Sequence, residues 1–201
     1  MFIRKLFIAS AIFFLLPSNL IAQSSGIEKE IISKPSSVRF LIGAALEFGG
    51  ESVAKIQFED GDDQDVNAGQ GGSIGIGVEA QFPSIDFLMF QGTLGIKYVT
   101  TQADNAHIRL TRFPIELTAN WLITDEIKIG AGISAHTNIN FKGDGVGPDV
   151  SFDNAIGPLI EASYAGLGLR FTSMTYTDEF GFDYDANAIG VFYKGAIILN
   201  K

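Results

Sequence analysis

Apolar and polar residues alternate with a period of two over eight segments of the chain, each about ten or more residues long. Alternation with this period is typical of β-strands whose two faces meet different surroundings. The 17 phenylalanines and 23 glycines also favour β-structure over a helical bundle. We therefore predict an all-β fold. The segments comprise about residues 38–48, 73–82, 88–100, 108–123, 127–141, 155–164, 167–176 and 188–199.

The polar face of these segments is unusually rich in glycine. A strand face that meets water seldom carries many glycines, because glycine weakens a strand. The interior of an eight-stranded barrel, in contrast, is only just wide enough for side chains. We predict that the glycine face lines the inside of an eight-stranded transmembrane barrel and that the apolar face meets lipid, which disfavours a soluble barrel of the lipocalin type. The glycines are Gly43, Gly75, Gly77, Gly95, Gly130, Gly132, Gly157, Gly168 and Gly190.

Most charged residues of the segments share this inner face. Both signs occur, so ion pairs can form across the lumen, whereas a Lys or Arg on the lipid face would cost about 2–4 kcal/mol at the bilayer midplane. We predict a structural charge network in the lumen. Its members are Arg39, Glu47, Glu79, Lys97, Arg112, Glu116, Lys128, Glu161, Arg170 and Lys194, and the same face includes Arg109.

Two segments carry the most detailed predictions. The fourth changes phase, since Ile108 and Leu110 are apolar at even positions and the apolar positions are odd from Phe113 onward. A β-bulge near Thr111–Arg112 would keep all of them on the lipid face. The fifth keeps one phase throughout, from Ile127 to Phe141.

Aromatic residues on the apolar face predict a girdle at each membrane surface. They are Phe48, Tyr98 and Phe141 near one rim, and Phe82, Trp121 and Tyr164 near the other.

The connections between segments alternate in length. Those after the second, fourth and sixth segments are short, at residues 83–86, 124–126 and 165–166, and the others are longer and polar. Outer-membrane barrels alternate short periplasmic turns with longer extracellular loops. This predicts an up-and-down antiparallel order with both chain ends on the periplasmic side.

The N-terminus has the pattern of a secretory signal. Arg4 and Lys5 precede a short apolar stretch, and Ala22 offers a small residue for cleavage. We predict a signal peptide at 1–22, a flexible periplasmic leader at 23–36 and the barrel at 37–201. Loss of Arg4 and Lys5 takes the net charge from −9 to −11, which excludes nucleic-acid binding. The absence of cysteine excludes disulfides and thiolate metal sites.

The pattern resembles the small eight-stranded outer-membrane barrels, such as OmpX-type proteins and the transmembrane domain of OmpA, over about residues 37–201. Residues 112–117 and 129–132, RFPIEL and IGAG, are its most family-like stretches. The resemblance implies the outer membrane of a Gram-negative bacterium, with lipid, lipopolysaccharide and the barrel-assembly machinery as partners. The chain departs from these barrels at Leu199-Asn200-Lys201, where they usually end in an aromatic residue.

Candidate chemistry is sparse. An acidic loop holds Glu59, Asp60, Asp62, Asp63 and Asp65, but a calcium loop that starts at Asp60 would need an acid where Gly71 stands. We predict no metal, cofactor or catalytic site.

His136 loosely resembles the histidine of lipid A deacylase barrels, which have a serine two positions away where this chain has Asn138. His107 is predicted to be solvated, and two isolated histidines do not predict a zinc site.

These observations favour a non-enzymatic envelope protein with a structural or surface-interaction role through acidic extracellular loops. The loop 177–185, with Phe180, Phe182 and Tyr184, is expected either to contact a partner or to fold onto the barrel rim. A narrow porin-like channel or a small-solute-binding barrel is the alternative, and a lipid A-modifying enzyme is the third.

Overall fold

The computed structural model describes residues 37–57, 63–103, 106–144 and 147–197. The predicted signal peptide and leader lie outside the described residues, as do Glu59, Asp60 and Asp62. A 3₁₀ turn, Pro83–Ile85, accompanies the strands. Within these ranges no helix is long and apolar enough to cross a membrane. The strands are β1 (Ser37–Phe48), β2 (Ser52–Gln57), β3 (Asp63–Asn67), β4 (Gly71–Gln81), β5 (Leu88–Ala103), β6 (Ala106–Leu122), β7 (Ile127–Lys142), β8 (Val150–Phe152), β9 (Ala155–Tyr164), β10 (Leu167–Thr172), β11 (Thr175–Thr177), β12 (Asp183–Asp185) and β13 (Ala188–Ile197).

Eight long strands form a closed antiparallel barrel in up-and-down order. Each of β1, β4, β5, β6, β7, β9 and β10 pairs with the next member, and β13 returns to pair with β1. Closure leaves no unpaired edge along the wall, which is what a sheet needs in order to cross lipid. The predicted fold class is confirmed, and the eight predicted segments coincide with these strands, the seventh being divided between β10 and β11.

The three short turns lie at one end of the barrel, which we call the short-turn end. The turn between β9 and β10 places Ala165 and Gly166 at φ of 48° and 88°, the paired positive angles of a tight hairpin. Thr124 accepts backbone hydrogen bonds from Glu126 and Ile127 in the turn before β7. Residues Ser37 and Ile197 also lie at this end, because β1 and β13 pair beside the short turns.

The outer surface of the lower barrel is an apolar belt. Large side chains such as Val38, Ile74, Leu94, Ile129 and Ile156 are exposed on it. In water such a surface would be very costly, whereas in a bilayer it is matched by the hydrocarbon. We call this part of the barrel, from the short turns to the level of Phe48, Tyr98, Phe113 and Thr137, the membrane zone.

Aromatic rings mark both edges of the membrane zone. Phe82, Trp121 and Tyr164 are exposed near the short turns, and Phe48 and Tyr98 are exposed at the opposite edge. Phe141 was assigned to the same girdle, and that assignment is wrong, because its ring is only 4% exposed and lies inside.

Beyond the membrane zone the same wall turns its apolar residues inward. In β6, Phe113, Ile115 and Leu117 are exposed, while Ile108 and Leu110 are buried on the opposite face. The strand alternates without interruption along this stretch. The pairing of β6 with β7 does shift at this level, but β6 pairs with β5 without a shift, so the prediction of a bulge in β6 that keeps Ile108 and Leu110 on the lipid face is wrong. The change of phase marks the level at which the outer face of the strand passes from lipid to water. Arg109, which the sequence places on the inner face, is exposed on the outer face.

Strand β7 makes the same change by a different means. Its pairing with β6 shifts between Thr111 and Phe113, and the extra residue lies in β7 at Asn138, which has φ of 50°. An extra residue reverses the faces of all that follow it. Ile139 and Phe141 are consequently buried, although their spacing continues that of the lipid-facing isoleucines.

The structure beyond this level forms a cap over the barrel. It comprises the upper ends of β5, β6 and β7, the hairpins β2–β3 and β11–β12, and β8. Its centre is a cluster of buried apolar residues. In their described parts, the connections predicted as long polar loops are largely β-structure. The buried members of the cluster are Val66, Ala68, Ile108, Leu110, Ile139, Phe141, Phe152, Met174, Tyr176 and Ala186.

Candidate functional site: the lumen and the cap

All eight barrel strands contribute charged side chains to the lumen. In a strand these positions alternate with the lipid-facing ones, so the same period-two pattern that exposes apolar residues directs charges inward. The ten residues predicted from the sequence all lie on this inner face in the structure. Six of them join one connected set of contacts, three form a second group nearer the cap, and Lys128 lies apart.

Arg170 is the centre of the larger set. Its two terminal nitrogens donate to both carboxylate oxygens of Glu116 at 2.9 and 2.8 Å, and Nη2 also donates to Glu161 at 3.2 Å. Thr93 adds a hydroxyl donor to Glu116. The guanidinium lies 5.0 Å from the ring centre of Phe192. A planar fork facing a carboxylate is the strongest ionic geometry that side chains offer.

Lys194 extends this set toward the short-turn end. Its ammonium donates to Glu161 at 2.9 and 3.0 Å and to Gln91 at 3.3 Å. Gln91 in turn donates to Glu79, whose other oxygen lies 2.6 Å from Arg39. The contacts thus run across the lumen from Glu116 to Arg39.

The second group lies under the cap. Lys97 is 2% exposed and donates to Glu47 and to the carbonyl oxygen of Gly69, each at 2.8 Å. Arg112 is fully buried and donates to the carbonyl oxygen of Gln70. Both cations therefore attach the segment between β3 and β4 to the barrel wall. Within the described residues, no carboxylate lies within ion-pair distance of Arg112, whereas the ring of Tyr176 lies 6.0 Å from its guanidinium carbon.

Lys128 faces the short-turn mouth. Its ammonium lies 3.7 Å from the sulfur of Met89, and no ion pair to it occurs among the described residues. A recess of about 430 Å³ opens at this mouth, with Arg39, Glu79, Glu126 and Lys194 on its walls. The residues that line the recess lie at the short-turn end and include Arg39, Glu79 and Lys194 of the ion-paired set.

Three inward glycines lie side by side in the wall. Gly43 pairs with Gly75, and Gly75 pairs with Gly95. A Cβ added at Gly95 would lie 2.5 Å from the carbonyl oxygen of Ile74, so a larger residue cannot fit without a shift of the backbone. The glycines leave a small cavity of about 40 Å³ beside Glu116 and Arg170, which is space for one or a few waters.

The histidine considered for lipid chemistry lies in the lumen. His136 is 6% exposed, and its Nδ1 is 2.5 Å from the hydroxyl of Tyr176. It does not face lipid, and Asn138 lies on the exposed outer side of the same strand. No group of three or more metal-ligating side chains occurs in the described part of the chain.

The hairpin β11–β12 ends in a turn that we call the aromatic tip, Asp178–Phe182. Phe180 and Phe182 are 73% and 65% exposed there. Tyr184, in contrast, packs its ring 5.7 Å from Phe152. Of the two outcomes expected for this loop, Phe180 and Phe182 project outward and Tyr184 packs inward.

Asp178 organises the aromatic tip. Its Oδ1 accepts the backbone N–H groups of Phe180 and Phe182, each at 2.9 Å, and its Oδ2 accepts the Tyr184 hydroxyl at 3.3 Å. Gly181 has φ of 87°, which a glycine adopts without strain. The loss of water around the Tyr184 hydroxyl, and then the nearby Asp178 carboxylate, raise the pKa of Tyr184.

The polar residues that complete the lumen were missed from the sequence. Gln91, Asn120, Thr93 and Tyr176 connect charges or close the lumen, and their inward positions in the alternation were the available signal. Asp178 was counted only as part of an acidic loop. Its spacing before a glycine turn could have indicated a capping role.

Comparisons with known proteins give only an overall likeness. No protein-family model matches the chain, and no curated sequence matches it significantly. It is similar to two crystal structures of Ail, the attachment invasion locus protein of Yersinia pestis, one of them in complex with the heparin analogue sucrose octasulfate. These alignments cover 79% of this chain and 97% of Ail, at 10% and 8% identity, with TM-scores of 0.40 and 0.37.

Proposed function

We propose that this protein is a non-enzymatic outer-membrane protein of a Gram-negative bacterium, a closed barrel that displays an ordered acidic cap at the cell surface. The observation that carries the proposal is the contrast between the two ends of the barrel. The short-turn end has minimal turns, whereas the cap end carries its own apolar core, two hairpins and an exposed aromatic tip. A barrel that served only as a wall would not need this elaborated end.

The filled lumen supports a structural role. Buried ion pairs that include Arg170–Glu116 and Lys97–Glu47 cross it at two levels, and the apolar cluster covers it above. Eight strands also leave little free width. We therefore expect no passage of solutes. Partners under this proposal are the surrounding lipid, lipopolysaccharide at the outer rim, the barrel-assembly machinery during insertion, and an external partner at the cap.

The experiment is planar-bilayer conductance of the purified protein, with heat-modifiable migration on gels and membrane fractionation as measures of folding and location. We expect an outer-membrane protein whose migration shifts on boiling and which shows no unitary conductance steps. Regular steps from folded protein would refute the closed lumen.

A narrow channel or small-solute site is the second candidate, and the recess at the short-turn mouth favours it. Charge-reversal of Lys128, which lines the recess but has no ion pair among the described residues, distinguishes the two. Under the closed-barrel proposal, Lys128→Glu leaves the silent bilayer record unchanged. Under the channel alternative it changes ion selectivity.

A further inference from the structure

Exposed apolar side chains occur in two places on this molecule, and lipid accounts for only one of them. Among the described residues, every exposed large hydrophobic side chain except two lies in the membrane zone or at its rims. The two exceptions are Phe180 and Phe182 at the aromatic tip, 73% and 65% exposed. Two exposed rings, two residues apart in the chain and outside both the membrane zone and the core, are typical of a contact surface.

The aromatic tip is held in one conformation before any partner arrives. The Asp178 carboxylate is nearly buried and accepts both phenylalanine N–H groups. The backbone of Asp178 also bonds to Phe182, and the N–H of Glu179 donates to the carbonyl oxygen of Ser151 in β8. The rings are therefore presented on a braced turn, which lowers the entropy that binding would otherwise cost.

Acidic residues surround the tip. Residues 172–187 contain four acids and no Lys, Arg or His. Glu179 and Asp183 are exposed beside the rings. Two neighbouring acids are joined to the hairpin by its backbone, since the N–H of Asp153 donates to Thr177 and the N–H of Glu51 donates to Asp185. The charged residues of the hairpin and those bonded to its backbone are thus all acidic, and the cations Arg109 and Lys142 of the cap lie on β6 and β7.

We propose that the aromatic tip is the docking site for a cationic protein partner, whose apolar pocket receives Phe180 and Phe182 while its Lys and Arg residues meet the acidic rim. The inference deepens the proposed function and rests on the cap facing outward. Charge selects this occupant. A second copy would bring two acidic rims together, and the phosphates of lipopolysaccharide would meet like charge.

The test uses the full-length protein in lipid nanodiscs and a random dodecapeptide library displayed on phage. We expect selected peptides to carry net positive charge together with apolar residues. The best peptide, synthesised, should bind more weakly at higher salt, because its charges meet the acidic rim. Phe180→Ser with Phe182→Ser should weaken its binding about thirty-fold, in keeping with the loss of a central anchor.

Two variants separate the anchor from general effects. Phe87→Ser removes a half-exposed ring at the short-turn end and should leave peptide binding unchanged. Asp178→Ala keeps both rings but loosens the turn, and should weaken binding less than the double substitution.

Several outcomes would overturn the proposal. Selection of neutral or acidic peptides, of no peptide at all, or of peptides indifferent to the double substitution would each do so. Binding of lipopolysaccharide vesicles, or self-association in sedimentation, that depends on both rings would assign the tip to another occupant.

Orientation is tested independently of binding. The chain has no cysteine, so Phe180→Cys provides a single thiol for a membrane-impermeant maleimide on intact cells. If Phe180→Cys is labelled on intact cells but the phage selection yields no cationic peptide, the proposed function stands and only this inference is refuted. A folded variant that is not labelled would refute the outward cap itself.

Discussion

The membrane zone and the cap are built from the same strands but are stabilised in opposite ways. In the membrane zone, isoleucine, leucine and phenylalanine face outward and the lumen is held by ion pairs centred on Arg170. In the cap, Leu110, Ile139 and Phe141 face inward and polar residues such as Arg109 face outward. The difference teaches that the apolar face of a strand follows the surrounding solvent, which changes from lipid to water at the level of Asn138.

The neighbouring strands β6 and β7 show two ways to cross this level. Strand β6 keeps its backbone regular and moves its apolar residues from odd to even positions. Strand β7 keeps its apolar residues at odd positions and inserts Asn138 at φ of 50°. Either change turns the apolar side chains above the membrane zone toward the inside. Because the two strands pair, the extra residue of β7 appears as a shift in the register between β6 and β7.

The largest effect is expected from the lumen charges of the membrane zone. Arg170→Met leaves Glu116 and Glu161 buried without their shared cation, which should lower the free energy of unfolding by about 3–5 kcal/mol. Urea unfolding from lipid vesicles measures this. Lys128→Met is the matched control, because its ammonium has no ion pair in the described structure, and a change of under about 0.5 kcal/mol is expected. Equal losses in the two variants would contradict a network centred on Arg170.

The cap should depend on apolar packing instead. Phe141→Ala leaves a cavity at a buried site and should lower the free energy of unfolding by about 3 kcal/mol. Phe113→Ala should lower it by about half as much, because mobile lipid chains can fill the space that the ring leaves. Unfolding midpoints of the two variants test the contrast. If Phe113→Ala proved the more damaging substitution, the assignment of inside and outside at this level would be reversed.

A cation on the outer face separates lipid from water directly. Leu117→Lys places a charge near the middle of the hydrocarbon and should cost about 2–4 kcal/mol. Asn140→Lys places the same group on the outer face of the cap, where a change within about 0.5 kcal/mol is expected. The yield of folded, heat-modifiable protein provides a second measurement. A severe loss at position 140 would mean that the hydrocarbon extends above Asn138.

The bulge in β7 predicts a smaller, backbone effect. Asn138→Val introduces a β-branched residue at a positive φ and should destabilise the protein by about 1–2 kcal/mol. Asn138→Gly should restore most of that loss, since glycine adopts this angle freely. Chemical unfolding of the two variants gives the comparison, and equal destabilisation by Val and Gly would show that the Asn side chain matters more than the backbone angle.

The smallest effect concerns an exposed ion pair of the cap. A hydrogen bond from Lys142, and then one from the Gly143 N–H, lower the pKa of Asp149. Because the pKa of Asp149 is lower in the folded than in the unfolded protein, its ionised form stabilises the fold at pH values above the unfolded-state pKa of about 4. This stabilisation disappears as the pH falls through the folded-state pKa. Hydrogen exchange at the Gly143 amide should therefore be slower in the parent than in Asp149→Asn at neutral pH, and the two should converge in acid. Persistence of the difference at the lowest pH would exclude this pair as its source.

Much of the candidate site followed from the alternation of residues. The inward positions of Glu116, Glu161 and Arg170 are predictable, because in a lipid-facing strand the polar face has only the lumen to occupy. Which charges meet was not predictable, since pairing across the lumen depends on strand stagger. Lys128 and Arg112 share the inner face with the rest yet lack carboxylate partners among the described residues.

By itself the sequence determined the number of strands, their order and the side of the wall that meets lipid, because a period of two and the length of the short turns are local properties. Only the tertiary structure decided where the membrane ends. Ile139 continues the spacing of the lipid-facing isoleucines, and that spacing does not show that the extra residue at Asn138 exchanges the inner and outer faces of the strand. Only the fold also revealed the apolar cluster of the cap and the contact between the turn at Asp178 and β8, since both join residues far apart in the chain that the barrel brings together.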